Sequence, residues 1–535
     1  MVVPELRPWR AARPHVVRVA DAVRPRLARV AATVRPRLAR VVTAAGPRIA
    51  RPVAWPGTWP KTWRFTVVAA ATGMALAAGA VTAAGPWDST GQRTAERDRA
   101  VALGAVRGTD HGGTRGNAGT PPRGPRAAPS APSVLAGLGG AATARSAPGG
   151  KALAGILTPL LKAPELGRHS AVVVDVSTGG ELYAQGSGDA LTPASTTKIV
   201  TAAAVLTALG PDHRLTTRTT FEPDTKEVIL VGGGDPTLTA REKNDTGSAS
   251  LRDLAGRTAA ALAERGVREV TLSYDTTLYP GGDRHPIGIN PNIATVTPLM
   301  ADEARVDDSV SGPANRVADP AADAARKFGE FLKAHGVKAT PPGPSKSTTR
   351  AGTLATVSSP PLATLVERML TNSDNDLAEA LARHTAIATG ERADFAGAAA
   401  ALRTRLAELR VPLEGTVLKD GSGLDRNNRL TARLLTALLV KSADPARPEL
   451  RSVLTGLPVA GFTGTLTGRY ADGAAGLVRA KTGTLTGVNT LAGTVVDEEG
   501  RLLAFAFLAT GTSDPTAAQT ALDRAATALA ACGCR

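Results

Sequence analysis

The stretch TPASTTK at residues 192–198 stands directly before an apolar segment and decides how the rest of the chain is interpreted. The apolar residues after it recur at helical spacing until Gly210-Pro211, so the sequence predicts a helix that begins at Ser195. Ser195 and Lys198 are then neighbours on one helix face, and the amine can lie beside the hydroxyl. A desolvated lysine has a lowered pKa and can take the serine proton. Taken alone, the stretch is also typical of a serine N-cap followed by a surface lysine.

A second polar motif, Ser373-Asp374-Asn375, lies in a predicted turn between two helices. Side chains two residues apart in such a turn can project into one cleft. The hydroxyl of Ser373 can relay a proton there, and the amide of Asn375 can hold a peptide group. On its own the motif is more often a helix N-cap.

The third motif, Lys481-Thr482-Gly483, is predicted to end a strand. Lys481 offers a positive charge and Thr482 a hydroxyl, which together suit a carboxylate. Glycine permits close approach by an extended ligand. On its own this motif is an ordinary strand-to-turn junction.

The three motifs together carry a stronger signal than any one of them. Ser-x-x-Lys, Ser-x-Asn and Lys-Thr-Gly, in this order, are typical of serine acyl-transfer enzymes that act on D-Ala-D-Ala peptides and on penicillins. Lysine usage points the same way, because only 13 of the 63 basic residues are lysine. Arginine cannot act as a base, so Lys198 and Lys481 stand where this chemistry needs an amine.

Further stretches support a resemblance to a known family. The chain resembles the D-alanyl-D-alanine carboxypeptidase/endopeptidase family of class C, low-molecular-mass penicillin-binding proteins over about residues 165–512. The stretches that carry the resemblance are TPASTTK at 192–198, VGGGDPTL at 231–238, DGSGL at 420–424 with Arg426, GTLTGR at 464–469 and RAKTGT at 479–484. Asp425 stands where the family tends to have serine. The resemblance implies a penicillin-recognising serine-transferase fold with an extra domain inserted between the first two motifs.

The resemblance also implies catalytic roles for five residues. Ser195 would attack the D-Ala-D-Ala carbonyl with Lys198 as base. Ser373 would pass the proton to the leaving D-Ala, and Asn375 would hold the peptide on the acyl side. Lys481 would complete the catalytic set and help to bind the terminal carboxylate.

Substrate binding is implied for the strand that follows Lys481. Thr482 would bind the terminal carboxylate together with that lysine, and Gly483 and Thr484 would line the substrate site. The backbone N–H groups of Ser195 and Thr484 would form the oxyanion hole. No cofactor and no metal is implied, and the seven histidines are scattered without ligand spacing.

Periodicity predicts the elements around the motifs. Strands are expected at 171–176 and 501–509, helices at 374–389 and 395–409, and a closing helix at 515–531. Two strands, helices in the middle, three strands and a closing helix indicate an α/β fold of the α+β type, in which a mainly antiparallel sheet is flanked by helices.

The spacing of the motifs predicts the domain organisation. Residues 151–217 and 351–535 are assigned to the catalytic domain, and 218–350 to a smaller inserted domain. The first two motifs, at Ser195 and Ser373, are 178 residues apart. That distance exceeds the compact β-lactamase layout and favours a cell-wall peptidase.

Charge and hydropathy set the first 150 residues apart. Residues 1–64 carry 14 basic and 2 acidic side chains and 86–150 carry 8 and 4, whereas 151–535 carry 41 of each. Residues 65–85 contain no charge, and about 20 apolar residues span a bilayer. We therefore expect a disordered cytoplasmic tail at 1–64, a transmembrane signal-anchor or a signal peptide at 65–85, and a disordered linker at 86–150. Either reading of 65–85 places the catalytic region outside the cytoplasm, at the cell membrane or secreted.

Other functions use parts of the same pattern. A β-lactamase carries the same motifs, but the large insertion and the lack of an evident added carboxylate base for deacylation argue against one. A non-catalytic wall-binding or scaffold protein fits the basic tail, but an inactive relative is expected to lose a motif residue. Nucleic-acid binding by residues 1–64 is a third hypothesis. The partners expected are peptidoglycan peptides, β-lactams and the membrane, with no nucleic acid at the charge-balanced region.

Overall fold

The computed structural model describes residues 149–244, 246–280, 284–470 and 473–533. The tail, the membrane segment and residues 86–148 of the linker expected from the sequence lie outside these residues, and the linker expected to reach residue 150 gives way to a helix that begins there. Within them, no helix combines the length and the apolar character needed to cross a membrane.

The described residues form eleven strands and ten α-helices. The strands are β1 Arg168–Asp175, β2 Glu181–Gln185, β3 Thr216–Glu222, β4 Glu227–Val231, β5 Glu269–Asp275, β6 Lys338–Ala339, β7 Gly343–Pro344, β8 Gly352–Ser358, β9 Val478–Leu485, β10 Val488–Val496 and β11 Leu502–Thr510. The helices are α1 Gly150–Leu161, α2 Thr197–Leu209, α3 Leu251–Ala263, α4 Pro320–Ala334, α5 Leu362–Asn372, α6 Asn375–Thr389, α7 Phe395–Glu408, α8 Ala432–Ala443, α9 Arg451–Thr455 and α10 Pro515–Ala530.

Five strands form an antiparallel sheet in the order β2-β1-β11-β10-β9. Its central strands are apolar at successive positions because both faces are covered. Val172 and Val174 face a core shared with α2, α5, α6 and α8. Ala171 and Val173 face the opposite core, which α1 and α10 close. Side chains alternate along a strand, so β1, like β10 and β11, contributes residues to both cores and separates them. This arrangement confirms the α+β fold with helices on both sides of an antiparallel sheet.

The second sheet has the order β6-β5-β4-β3-β8, with β7 paired to β5. Strands β3, β4 and β8 pair antiparallel, whereas β4, β5 and β6 pair parallel. Helices α3 and α4 share one apolar core with this sheet. Thr216 pairs with Ser358, so the chain enters and leaves this sheet on neighbouring strands. That pairing brings together the two ends of the long segment between α2 and α5.

Several expectations from the sequence are wrong in detail. The helix expected from Ser195 begins at Thr197, because residues Ala194–Thr196 form a 3₁₀ turn in which Ala194 has φ 47°. The strand expected to end at Lys481-Thr482-Gly483 continues to Leu485, because these residues pair with β10. Helices α1 and α4 were not anticipated. The domain boundaries expected at 218 and 350 stay a prediction; residue 218 lies within β3, and residue 350 lies just before β8.

Candidate active site

The 3₁₀ turn before α2 places Ser195 and Lys198 side by side. Lys198 is fully buried, and its Nζ donates hydrogen bonds to Ser195 Oγ at 3.1 Å, Asn375 Oδ1 at 2.6 Å and the Ser422 carbonyl oxygen at 2.7 Å. Burial lowers the pKa of Lys198 to about 8, against the opposing attraction of nearby carboxylates such as Asp420. The amine is thus close to the serine hydroxyl and close to losing its proton near neutral pH.

The second motif forms the junction between α5 and α6. Ser373 caps the end of α5 with a left-handed φ of 58°. Asp374 caps the start of α6 by accepting a hydrogen bond from the Leu377 N–H at 3.0 Å. Asn375 is the first residue of α6, and its Nδ2 donates to the Asn292 carbonyl oxygen at 2.8 Å. The Asn375 amide is therefore held from both sides, by Lys198 and by the loop that contains Asn292.

The third motif lies on β9, the edge strand of the first sheet. Lys481 is fully buried and its Nζ donates to the Thr482 carbonyl oxygen at 2.7 Å. Burial, and after it the positive charges of Lys198 and Arg469, hold the pKa of Lys481 well below its ordinary value. Thr482 Oγ1 donates to Thr465 Oγ1 at 2.9 Å.

Gly483 is required by contact between β9 and the serine turn. A Cβ at this position would lie 2.7 Å from the Pro193 carbonyl oxygen and 3.0 Å from the Ser195 nitrogen. The Thr490 hydroxyl of β10 donates to the same Pro193 oxygen at 2.8 Å. The sequence suggested that this glycine admits a ligand, whereas the structure shows that it admits the turn that carries Ser195.

A cleft of about 380 Å³ runs between the three motifs. Five of the eight residues expected at the site line it, namely Ser195, Ser373, Asn375, Thr482 and Thr484. Lys198, Lys481 and Gly483 are buried. The structure thus brings all three motifs together at one cleft, although they are far apart in the sequence.

Other residues of the cleft were not assigned from the sequence. Thr465 and Arg469 line it beside Thr482, and a bidentate ion pair with Asp523 of α10 holds the Arg469 guanidinium. Both belong to the GTLTGR stretch, whose resemblance to the family was the available signal. Asn292 carries no such signal, because it lies in a loop without periodicity.

The turn at residues 420–425 supports the carbonyl that holds Lys198. Glu379 accepts hydrogen bonds from the backbone N–H groups of Gly421 and Ser422 at 3.2 and 2.9 Å. Asp420 accepts from the Gly423 N–H at 2.8 Å. Two buried carboxylates therefore fix the position of the Ser422 carbonyl oxygen, and with it the lysine.

His285 ties a loop of the inserted segment to the same turn. Its Nδ1 accepts from the Ile287 N–H at 3.2 Å, so the proton lies on Nε2, which donates to Asp420 Oδ2 at 2.9 Å. Both side chains are fully buried. Asp425, the departure from the family pattern, also reaches Asp420, but through its backbone N–H at 2.6 Å. A change of side chain there leaves that hydrogen bond in place.

Two groups of side chains have ligand atoms close enough for a metal ion. They are His285, Glu379 and Asp420, and Glu303, Asp374 and Asp376. Oxygens of both groups already accept hydrogen bonds from backbone N–H groups or face arginines. A cation would have to displace those N–H groups and arginines. The surroundings of these carboxylates therefore favour hydrogen bonding and ion pairing over metal binding.

Comparison with known proteins identifies the family of the chain. The model of the D-Ala-D-Ala carboxypeptidase 3 (S13) family matches residues 153–311 and 307–530. The chain belongs to the S13 family. This confirms the resemblance inferred from the motifs, and the three motifs lie within the matched ranges.

Two curated relatives align with most of this chain and with most of their own length. Carboxypeptidase DacB of Mycolicibacterium smegmatis is 38% identical over 402 residues, which is 72% of this chain and 85% of the relative. Carboxypeptidase Rv3627c of Mycobacterium tuberculosis is 36% identical over 410 residues, or 74% and 87%. The crystal structure of penicillin binding protein 4 (dacB) from Haemophilus influenzae matches with a TM-score of 0.58 at 20% identity, covering 69% of this chain and 97% of that one. This structural likeness confirms the fold.

Proposed function

We propose that the protein is a serine D-Ala-D-Ala carboxypeptidase/endopeptidase that acts on peptidoglycan stem peptides through an acyl-enzyme and is acylated by penicillins. The observation that carries the proposal is the triple contact of Lys198 Nζ with Ser195 Oγ, Asn375 Oδ1 and the Ser422 carbonyl. Family membership and the relatives named as carboxypeptidases support it.

In the proposed reaction Ser195 Oγ attacks the carbonyl carbon of the D-Ala-D-Ala peptide bond, and Lys198 takes the hydroxyl proton. The tetrahedral intermediate collapses, the C–N bond breaks, and the leaving D-Ala nitrogen receives a proton through Ser373. Water then attacks the ester, which releases the shortened peptide and restores the serine hydroxyl. Asn375 holds the acyl-side peptide group while its Oδ1 orients the lysine.

The substrate is proposed to lie along β9. Its position at the sheet edge lets an extended peptide approach as an added strand. The backbone N–H groups of Ser195 and Thr484 are proposed to stabilise the oxyanion. Lys481 and Thr482 bind the terminal carboxylate, whose negative charge favours the protonated form of the lysine. Arg469, which lines the same part of the cleft, adds a fixed positive charge.

A peptidase fits the cleft better than a β-lactamase does. In class A β-lactamases a free glutamate carboxylate activates the water that deacylates the penicilloyl-enzyme. The carboxylates that line the cleft are Asp374 and Asp376. Asp374 accepts from the Leu377 N–H, and Asp376 accepts from the Ala294 N–H at 2.8 Å and pairs with Arg316 at 2.9 Å. Both are therefore committed to holding the fold.

Digestion of purified muropeptides by the full-length protein tests the activity directly. Loss of one terminal D-Ala, read from product masses, would demonstrate the carboxypeptidase, and loss of cross-linked dimers the endopeptidase. The Ser195→Ala variant serves as the control. Unchanged muropeptides, with a wild-type protein that is folded, would reject the proposal.

We also propose that the reaction takes place outside the cytoplasm. Peptidoglycan is the proposed substrate, and residues 65–85 carry the hydropathy of a membrane anchor or signal peptide. Accessibility of the active site to a fluorescent penicillin added to intact cells tests this location.

We further propose residues 218–350 as the inserted domain. The strands at its two ends support this, because β3 overlaps its start, β8 follows its end, and the two strands pair with each other.

A further inference from the structure

A loop between β5 and α4 contacts the second motif through a main-chain carbonyl. The Asn292 carbonyl oxygen accepts from Asn375 Nδ2 at 2.8 Å, while Asn375 Oδ1 accepts from Lys198 Nζ at 2.6 Å. A reversed amide would set its NH₂ group against the Lys198 ammonium and its oxygen against the Asn292 oxygen, so both contacts would become repulsive. The Asn292 carbonyl therefore decides which end of the Asn375 amide faces the lysine.

The orientation of this amide determines where the lone pair of Lys198 points. A neutral amine has two N–H donors and one lone pair. Lys198 Nζ is within hydrogen-bond distance of Asn375 Oδ1, the Ser422 carbonyl oxygen and Ser195 Oγ. The first two oxygens can only accept, so they take both N–H groups, and the lone pair is left for the Ser195 hydroxyl proton. A reversed amide would donate to that lone pair and remove it from the serine.

The turn before the Asn292 carbonyl is closed by a side chain. Asn290 Oδ1 accepts from the Asn292 N–H at 2.9 Å and from Asn292 Nδ2 at 2.6 Å, which forms an Asx turn. The Asn290 carbonyl accepts from the Ile293 N–H at 3.3 Å, and the Pro291 carbonyl accepts from the Ala314 N–H at 3.0 Å. The backbone that leads to the Asn292 carbonyl is thus held at each residue.

The residues after Asn292 anchor the loop to the helix that carries Asn375. Ile293 is 4% exposed and packs in a small apolar cluster. The Ala294 N–H donates to Asp376 Oδ1 at 2.8 Å, and Asp376 is the second residue of α6. Loop and helix are therefore joined at two consecutive residues of α6.

We propose that Asn290 is a positioning residue of the active site, which orients the catalytic base through the Asn292 carbonyl and the Asn375 amide. The proposal rests on the proposed function, because it is proton transfer from Ser195 to Lys198 that needs the lone pair. An activated serine generally has a base that a third group orients. In this chain the third group is the Asn375 amide, and the loop sets that amide without contacting the lysine.

Three substitutions separate the acceptor in the turn from the side chain of Asn292. Asn290→Ala removes the acceptor of both hydrogen bonds, whereas Asn290→Asp keeps an oxygen for both. Asn292→Ala keeps the main-chain N–H and carbonyl and loses the side-chain contact alone. We expect Asn290→Ala to lower the acylation rate at the alkaline plateau, where Lys198 is neutral, about 10-fold. The other two variants should stay within about threefold of wild type.

The matched control is Asn244→Ala, in another turn of the long segment between α2 and α5. Asn244 Oδ1 accepts from the Ser248 N–H at 3.1 Å, and its Nδ2 donates to the Ser248 carbonyl oxygen at 2.6 Å. Within the described residues the hydrogen bonds of this side chain go to Thr246 and Ser248, not to the three motifs. The control should keep the wild-type plateau and pH profile.

The pH profile distinguishes orientation of the base from a general loosening of the loop. Asn375 Oδ1 accepts from the ammonium, so loss of this contact disfavours the charged form and adds to the burial that has lowered the Lys198 pKa to about 8. The acidic limb of the profile should therefore move to lower pH in Asn290→Ala, by about one unit. This variant leaves unchanged the charged groups that surround the lysine, which are Asp374, Asp376, Glu379, Asp420 and Lys481.

The experiment measures the second-order rate of acylation of the full-length protein by a fluorescent penicillin across pH, with the melting temperature of each variant as a check of folding. A lower plateau and a lower Lys198 pKa compensate each other below the pKa. The difference between wild type and Asn290→Ala should therefore be small near neutral pH and largest at the plateau.

A wild-type plateau in Asn290→Ala, or a slow plateau in Asn290→Asp, would overturn the role of Asn290. A slow plateau with an unmoved acidic limb would overturn the orientation of the base, since the loop would then act on the substrate alone. An equal loss in Asn244→Ala would overturn the proposal as well, because the effect would not depend on contact with the second motif. A wild-type protein that takes no label at any pH would overturn the proposed function instead.

Discussion

Replacement of Gly483 by alanine tests the contact between β9 and the serine turn. The added Cβ would lie 2.2 Å from Thr490 Oγ1 and 2.7 Å from the Pro193 carbonyl oxygen. Ordinary contact begins near 3.4 Å, so strand and turn must separate by about 0.7 Å at Pro193. The Thr490 hydroxyl must also move, which breaks its hydrogen bond to the same oxygen.

Two effects should follow from Gly483→Ala. Overpacking of this kind typically costs about 1–3 kcal/mol of stability. The turn carries the nucleophile and one expected oxyanion N–H, so we expect acylation to slow by about 10–100-fold. Stopped-flow mixing with a chromogenic penicillin gives the rate, and urea denaturation gives the free energy of unfolding.

The matched control is Gly352→Ala at the start of β8. A Cβ there meets nothing within 4 Å, so stability and acylation should remain near wild type. A Gly483→Ala variant that acylates at the wild-type rate would refute the reasoning, because the serine turn would then tolerate displacement. A loss of rate in both variants would point to a general effect of the substitution.

Four further predictions concern the cleft and its support, and three of them are substitutions of single side chains. Lys198→Arg should fold but should be acylated about 10²–10⁴-fold more slowly than wild type, because a guanidinium cannot take the serine proton. Stopped-flow measurement of the acylation rate checks this. The wild-type rate should rise with pH through about 8, where burial has placed the Lys198 pKa. Arg469→Ala should raise KM for D-Ala-D-Ala peptides about tenfold with a smaller change in kcat, measured by D-Ala release. His285→Ala should lower the free energy of unfolding by about 1–3 kcal/mol in urea, because it removes one hydrogen bond from the buried Asp420 carboxylate.

Each of these predictions has a contrary outcome. A Lys198→Arg protein with wild-type acylation would show that another group is the base, and a rate independent of pH would show that the amine is neutral throughout. An unchanged KM in Arg469→Ala would exclude this guanidinium from carboxylate binding. An unchanged urea midpoint in His285→Ala would show that the backbone N–H groups and the Asn428 amide hold Asp420 adequately without the imidazole.

The sequence predicted those parts of the site that lie on regular elements. The apolar run after Lys198 indicated α2, and α6 and α7 appear where the periodicity placed them, because each has a capping residue and an apolar face. The mainly apolar strands β1 and β11 likewise indicated a sheet covered on both faces. Local propensity and burial agree in these elements, so the hydrophobic pattern of the sequence predicts them correctly.

The supporting contacts could not be predicted in the same way. His285 and Asn292 reach the site from loops without periodicity, and their partners lie roughly 80–135 residues further along the chain. The left-handed turn at Asp302–Ala304 contains no glycine, which removes the usual signal for positive φ. The role of Gly483 also depends on a neighbouring turn nearly 300 residues away in sequence, so only the folded structure reveals it.

The central claim is that Ser195 becomes acylated. Intact mass and peptide mapping of the full-length protein after reaction with benzylpenicillin test it most directly. We predict one adduct per chain, carried by the peptide that contains Ser195 and missing from Ser195→Ala. An unmodified wild-type protein, or an adduct that persists in Ser195→Ala, would contradict the claim.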